Sequence, residues 1–519
     1  MARLTAFSKF LIVLLIMGGL FFAVQYFLKN TKAGQDLAEK AKSETEASDS
    51  GSGSKPDANT IGVGVVTWGG YAGGQYFNEG FEANERSRFF KDYGFKVDFK
   101  ILDDPTASRN AWKNDEVNLL WATVDALPTE MPGLADYDPV VVFQADWSRG
   151  GDAVVVRRGI TSVGDLRGKQ IAVAEMSPSH SFLIWMLGAA GMTTKDVRVV
   201  GVPSPVEAAD AFKANNVDAA VVWSPFDEEC VQKVPGSRVL QSTRNASNII
   251  ADVFIAKRKW VEANRERLQQ LYEGWMKGAG EINSSAANKA KAAQILADAF
   301  DGFTKDDAVK AIDNVRLCTH GDNLNFFGLN REYKGVTGEE LYNRMTKEYR
   351  AIGVIPASDK VPNWSATAYR SAVDKTTLSG AANAPEGQKV FAGLSDTEAK
   401  SKEAVATKRV SISFRSGEFQ LDDNAKYIID NEMVAIAKGF ANNRIRVEGN
   451  TDNVGSSAAN IALSKKRAQS VVDYLVSTYG MPRNRFIVIG NGPEKPVADN
   501  GSEEGRRKNR RTDFELVEE

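Results

Sequence analysis

Residues 447–467, VEGNTDNVGSSAANIALSKKR, decide how the C-terminal part of this 519-residue chain folds. An alternating apolar run ends at the turn Asn450-Thr451-Asp452-Asn453, whose side chains suit tight backbone turns, and a serine pair then opens a helical pattern. That helix carries Arg467 about three turns beyond its start. One carboxylate and one guanidinium can therefore face a single small ligand. An ionised Asp accepts from an ammonium and Arg offers a planar fork to a carboxylate, so the pair reads an amino-acid head group from both ends. It binds and does not catalyse. The competing reading is local: Asp452 caps the helix or forms an exposed salt bridge with Arg467 worth ~0–1 kcal/mol.

With Asn460, Leu463, Ser464 and Ala468, and with Asn509, Arg510 and Arg511 further on, this stretch resembles the OmpA-like peptidoglycan-binding domain. The resemblance covers residues 408–519. It implies a small α/β domain in which Asp452 and Arg467 grip the zwitterionic end of the diaminopimelate residue of the stem peptide. Thr451, Asn460, Asn509 and Arg510 fall on family positions beside that site. The run Arg506 to Arg511 is either part of the groove or a solvated charge run, and both readings stay open.

Upstream, short β-rich runs alternate with helical ones: Ile61 to Trp68, Val97 to Leu102, Asn118 to Ala122, Val140 to Phe143, Ala153 to Val156, Ile171 to Ala174, Val197 to Val200 and Ala219 to Trp223. This is the pattern of α/β layers with largely parallel sheets, where ligands bind at strand ends. Those ends carry Trp68-Gly69-Gly70-Tyr71, Trp121-Ala122-Thr123, Ser177-Pro178-Ser179-His180-Ser181 and Trp223-Ser224-Pro225, with Asp252 beyond. A cleft lined by aromatic and small polar groups is expected. Each aromatic is equally readable as core, and each serine as a helix cap.

The order of the strand ending in Trp-Gly-Gly, the segment LRGKQIAV (166–173), the serine-rich helix entry and AFKANNVDAAVVWSP (211–225) resembles the type II periplasmic solute-binding proteins of the nitrate, sulfonate and taurine kind. That resemblance implies a two-lobed domain over 60–373, with lobe two at about 148–248 and a return to lobe one after Ile249. The solute would meet Trp68, Gly70, Tyr71, Trp121, Thr123, Ser177, Ser179, His180, Ser181, Trp223 and Asp252. A helix starting among serines favours an anion or zwitterion at 177–181. Glu175 and Asp252 disfavour a simple dianion and suit a ligand with an amine. The polar, aromatic stretch Thr319 to Gly328 reads as a lid or, in preference, a hinge-side connection.

Phe10 to Leu28 is an apolar run close to the ~20 residues that cross a bilayer. Arg3 and Lys9 precede it, which favours a cytoplasmic N-terminus (1–9) and an uncleaved membrane helix (10–28) over a signal peptide. The run holds no ionisable side chain, so this chain conducts no ions by itself. Residues 29–59 read as a flexible tether and 374–407 as a second linker.

Net charge is −2 with both signs interleaved, so no nucleic-acid partner is expected. Two cysteines, Cys230 and Cys318, are too few for a disulfide framework, and sequence leaves their pairing open. With two histidines and no metal-ligand spacing, no metal or other cofactor is expected, and no catalytic motif argues for an enzyme. The chain reads as an inner-membrane, single-pass periplasmic protein. Its expected partners are peptidoglycan, a small solute, the membrane and an integral membrane protein. The alternative is a structural or assembly linker between inner membrane and wall, stator-like, whose solute-binding fold serves protein interaction.

Overall fold

The apolar alternation anticipated along the chain becomes three sheets, strands being numbered in chain order. The computed structural model describes residues 54–412, 414 and 417–518. The first sheet is built from β1 (Thr60–Val65), β2 (Lys96–Ile101), β3 (Leu119–Thr123), β4 (Pro139–Ser148), β10 (Ala251–Lys257) and β11 (Val315–Leu317), in the order β11-β4-β10-β3-β1-β2. β1 pairs parallel with β2 and β3, while β10 runs antiparallel between β3 and β4. The second sheet holds β5 (Asp152–Val156), β6 (Gln170–Ala174), β7 (Arg198–Val202), β8 (Ala219–Trp223) and β9 (Arg238–Ser242), in the order β7-β6-β8-β5-β9. Two lobes result, and the chain crosses between them at 149–151 and again at 243–250.

Both sheets are covered on their faces, which is why their strands are apolar almost throughout: every residue of β3, β4 and β5 is buried. The helix Arg265–Ser284 packs its buried face, including Trp275 and Tyr272, against Phe143 and Phe254 of the first sheet. The stretch 319–328 is neither lid nor loop. Thr319 and Asp322 form a reciprocal capping box that starts the helix His320–Phe326. Asn323, fully buried, accepts from the Gln144 N–H at 2.8 Å and donates to the Gln144 carbonyl at 3.0 Å, fastening the helix to β4.

The third sheet contains β12 (Ala404–Val410), β13 (Arg444–Asn450), β14 (Phe486–Gly492) and β15 (Thr512–Val517), in the order β12-β15-β13-β14. Ile445 and Val447 point into a core shared with the helix Ser457–Tyr479. The opposite side of β13 carries Arg444, Arg446 and Glu448, all buried. The segment expected as a plain linker covers them: Arg444 donates to the Ala392 carbonyl at 2.6 Å and Arg446 to the Lys402 carbonyl at 2.7 Å. Gly449 is required where the helix crosses, since a Cβ there would lie 2.1 Å from the Ser464 carbonyl oxygen.

Residues 56–519 form one contact unit. The third-sheet domain rests on the second crossover: the Asn248 N–H donates to the Gly439 carbonyl at 3.0 Å and the Asn442 amide to the Arg244 carbonyl at 2.9 Å. Lys438 also reaches Glu340 at 2.8 Å. Cys230 and Cys318 are both buried and free. Among the described residues no helix is long and apolar enough to cross a membrane. The expected membrane segment 10–28 and its flanks lie outside those residues.

Candidate functional site

At the junction of the two lobes, adjacent strand ends bring carboxyls and rings together. Asp252 of β10 has Thr123 of β3 as its register partner on one side and Asp146 of β4 on the other. Across the cleft, Asp152 of β5 is paired in register with Trp223 of β8. Trp68, Tyr71, Trp121, Thr123, Asp152, Trp223 and Asp252 line one small cavity of about 30 Å³. Six of these are residues that the sequence pointed to.

Their hydrogen bonds are specific. The Tyr71 hydroxyl donates to Asp252 Oδ1 at 2.7 Å, and the Trp68 indole N–H to Asp146 Oδ2 at 3.3 Å. Ser148 Oγ donates to Asp152 Oδ2 at 2.7 Å. Trp121 Nε1 and Thr123 Oγ1, in side chains 7 % and 3 % exposed, have no hydrogen-bond partner among the described residues. Gly70 does not touch a solute-sized space. It makes room for Asp146, whose Oδ2 would be 1.8 Å from a Cβ at position 70.

Burial dominates the electrostatics. It pushes the Asp146 carboxyl up to about 8, with Trp68's hydrogen bond opposing, and lifts Asp125 and Asp152 to about 7. Asp252 is raised well above the carboxylate range by burial first and then by the charge of Asp146. The tyrosine hydroxyl of Tyr71 is pushed up by the same burial and by Asp252.

The anion site expected at 177–181 is not built that way. Ser177 Oγ donates to the Ala174 carbonyl at 2.7 Å, Ser179 Oγ accepts the Trp223 indole N–H at 3.0 Å, and Ser181 Oγ is 2.8 Å from the Tyr349 hydroxyl. His180 Nδ1 accepts the Met176 N–H at 3.2 Å, and burial lowers the ring's pKa to about 4, so it is a neutral packing residue. The hydroxyls face protein because the first turn of the helix Pro178–Ala189 is buried. None of the four lines the cavity; Pro178 does. Sequence reading missed Asp146 and Asp152. The available signal was a carboxylate set inside runs that are otherwise apolar.

In the third-sheet domain, Asp452 sits at the end of β13. Its Oδ1 accepts the Val454 N–H at 3.1 Å, and its Oδ2 accepts Arg510 Nη1 at 2.6 Å. Arg510 also reaches Glu503 at 2.7 Å. Arg467 donates to the Glu418 carbonyl at 3.0 Å and lies 4.9 Å over the Phe414 ring. Burial lowers its pKa, Asp452 opposes and Arg510 adds to the lowering, which puts Arg467 in the field of both. Asp452 thus pairs with Arg510 rather than with Arg467. One carboxylate and two guanidiniums make up the candidate site.

Asn460 Nδ2 donates to the Val454 carbonyl at 3.0 Å, and Thr451 Oγ1 to the Asp452 carbonyl at 2.8 Å, so both shape the turn. Asn509 is buried behind the turn that it holds. It accepts from Val497 N and Ala498 N and donates to the Ala498 carbonyl and Asn500 Oδ1, so its amide is spent on holding 497–500. The basic run is no loose charge cluster: Arg511 makes a buried two-pronged pair with Asp513, at 2.9 and 2.8 Å.

Residues 413–510 match the OmpA family, and residues 143–297 the NMT1-like family. The chain carries an OmpA-like domain at its C-terminal end. Its middle carries an NMT1-like segment. The chain is 36 % identical over 111 residues to outer membrane porin F of Pseudomonas aeruginosa, covering 21 % of this chain and 31 % of that protein. It is 40 % identical over 90 residues to peptidoglycan-binding protein ArfA of Mycobacterium tuberculosis, covering 17 % and 27 %. The chain thus spans about a third of the length of the curated relatives it matches. The periplasmic aliphatic sulphonate binding protein SsuA of Escherichia coli superposes with a TM-score of 0.47 at 17 % identity, over 66 % of this chain and 98 % of that one.

Proposed function

We propose that this is a non-enzymatic envelope protein, which holds peptidoglycan through its OmpA-like domain and a small solute through the cleft of its middle domain. The Phe10–Leu28 segment anchors it in the inner membrane, with the described residues in the periplasm. The observation that carries the wall assignment is Asp452 paired with Arg510 at 2.6 Å and sharing an electrostatic neighbourhood with Arg467. When a zwitterionic head group enters, its ammonium takes the place of Arg510 at Asp452 and its carboxylate meets Arg467. ArfA, a matching relative, is named as peptidoglycan-binding, which supports the same reading.

Sedimentation with purified sacculi tests it. The intact chain is expected in the pellet, and Asp452→Ala or Arg467→Ala is expected in the supernatant. Variants that pellet like the parent would remove both residues from the site. A linker role has its own support: the OmpA-like domain is hydrogen-bonded to the crossover at 244–248, and the cleft is only about 30 Å³. A chain that binds sacculi but no small solute of either charge would favour it.

A further inference from the structure

We propose that the interlobe cleft takes a small organic ammonium compound bearing one hydrogen-bond-accepting oxygen, rather than a sulfonate, a nitrate or another anion. This deepens the solute-binding reading and rests on it.

Rings come first. Trp68 and Tyr71 from the turn after β1, Trp121 from β3 and Trp223 from β8 wall a single space, and the face of an aromatic ring attracts a cation within about 6 Å. Carboxyls come second. Asp252 enters from the first lobe and Asp152 from the second, with Asp146 directly behind Trp68. None of the described residues lining the cavity is Lys, Arg or His. The nearby cations are already paired. Arg109 holds Glu130 through two contacts of 2.8 Å, with its guanidinium 4.4 Å over the Trp121 ring, and Arg149 holds Glu386 at 2.6 Å. An anion here would lose its hydration and meet carboxyls in return. Among the described residues no group of three His, Cys, Asp or Glu is placed to hold a metal ion, so the carboxyls form no metal site.

The third observation fixes the rest of the ligand. Trp121 and Thr123 line the cavity and are more than nine-tenths buried, and Trp121 Nε1 and Thr123 Oγ1 have no hydrogen-bond partner among the described residues. A buried indole N–H needs an acceptor, which an ammonium cannot supply and an adjacent hydroxyl or carbonyl oxygen can. The small volume admits only a head group of a few heavy atoms while the lobes stay together. Burial holds protons on the carboxyls, and an arriving cation replaces a proton there.

Calorimetric titration of the full chain at pH 8 tests this, with ethanolamine, choline and tetramethylammonium as cationic probes and methanesulfonate and nitrate against them. Ethanolamine or choline is expected to bind at least tenfold more tightly than methanesulfonate. Asp252→Asn, which keeps the shape and removes the charge, is expected to weaken the cations tenfold or more. Should that variant fail to fold, Thr123→Val is expected to weaken ethanolamine but leave tetramethylammonium, which has no acceptor, unchanged. Preference for methanesulfonate or nitrate, abolished by Trp223→Ala, would overturn the ligand class and leave the solute site standing. Binding of no probe of either charge would overturn both.

Discussion

At the scale of single residues, the carboxyls beneath the cleft set the pH response of the fold. Asp125, Asp146, Asp152 and Asp252 all have raised folded values, with Tyr71 donating to Asp252, Arg149 acting on Asp146 and Arg109 on Tyr71. A raised folded value stabilises fully below the unfolded carboxyl pKa, near 3.9, and that stability is lost as pH climbs through about 7 to 8. The two histidines work the other way, since burial lowers both, but their contribution is complete above about pH 6.5. Unfolding midpoints in urea are therefore expected to fall between pH 6.5 and pH 8, and Asp146→Asn is expected to flatten the fall. A midpoint that rises over that interval would contradict the buried cluster. At Gly70, an added methyl meets Asp146 at 1.8 Å, so Gly70→Ala is expected to cost about 1–3 kcal/mol in the same measurement.

Elements show what was legible in the chain and what was not. The strands expected at Ile61, Val97, Asn118, Val140, Ala153, Ile171, Val197 and Ala219 are β1 to β8, because sustained apolar runs bounded by turn residues leave few alternatives. β9, β10 and β11 were not anticipated. β10 is the telling case: ADVFIAK lies between two strands of the first sheet yet comes more than a hundred residues after them, and local pattern carries no information about such pairing. The cleft rings were legible because each lies in or just beyond a strand, whereas the serines at 177–181 were misread because helix-start chemistry says nothing about which way a hydroxyl turns. The helix His320–Phe326 was hidden by its polar composition, Asn323 being spent on the backbone of β4. Asn323→Ala strips a buried N–H and a buried carbonyl of their partner and is expected to cost about 2–4 kcal/mol by denaturant titration. A loss below about 0.5 kcal/mol would show that this clamp is dispensable.

For the whole molecule, the relevant fact is where the OmpA-like domain sits. Its contacts fall on the crossover between the lobes, through Asn245 and Asn248, and on the helix holding Trp185. A side chain at Gly439 would press on Ile249 at 2.9 Å and on Trp185 at 3.0 Å. Gly439→Val is therefore expected to split one calorimetric unfolding transition into two, because overpacking there separates domains that now share a core. A single transition at an unchanged temperature would mean that the domains melt independently of this contact.

The central claim is that one acid and its neighbouring guanidiniums read the two ends of an amino-acid head group. Titration of the intact chain with a soluble muropeptide containing diaminopimelate, beside the same muropeptide containing lysine, tests it most directly, since lysine presents the distal ammonium without the carboxylate. The account predicts saturable binding of the diaminopimelate form, at least tenfold weaker binding of the lysine form, and loss of the preference in Asp452→Ala and Arg467→Ala. Equal affinity for the two muropeptides, unaffected by either substitution, would contradict it.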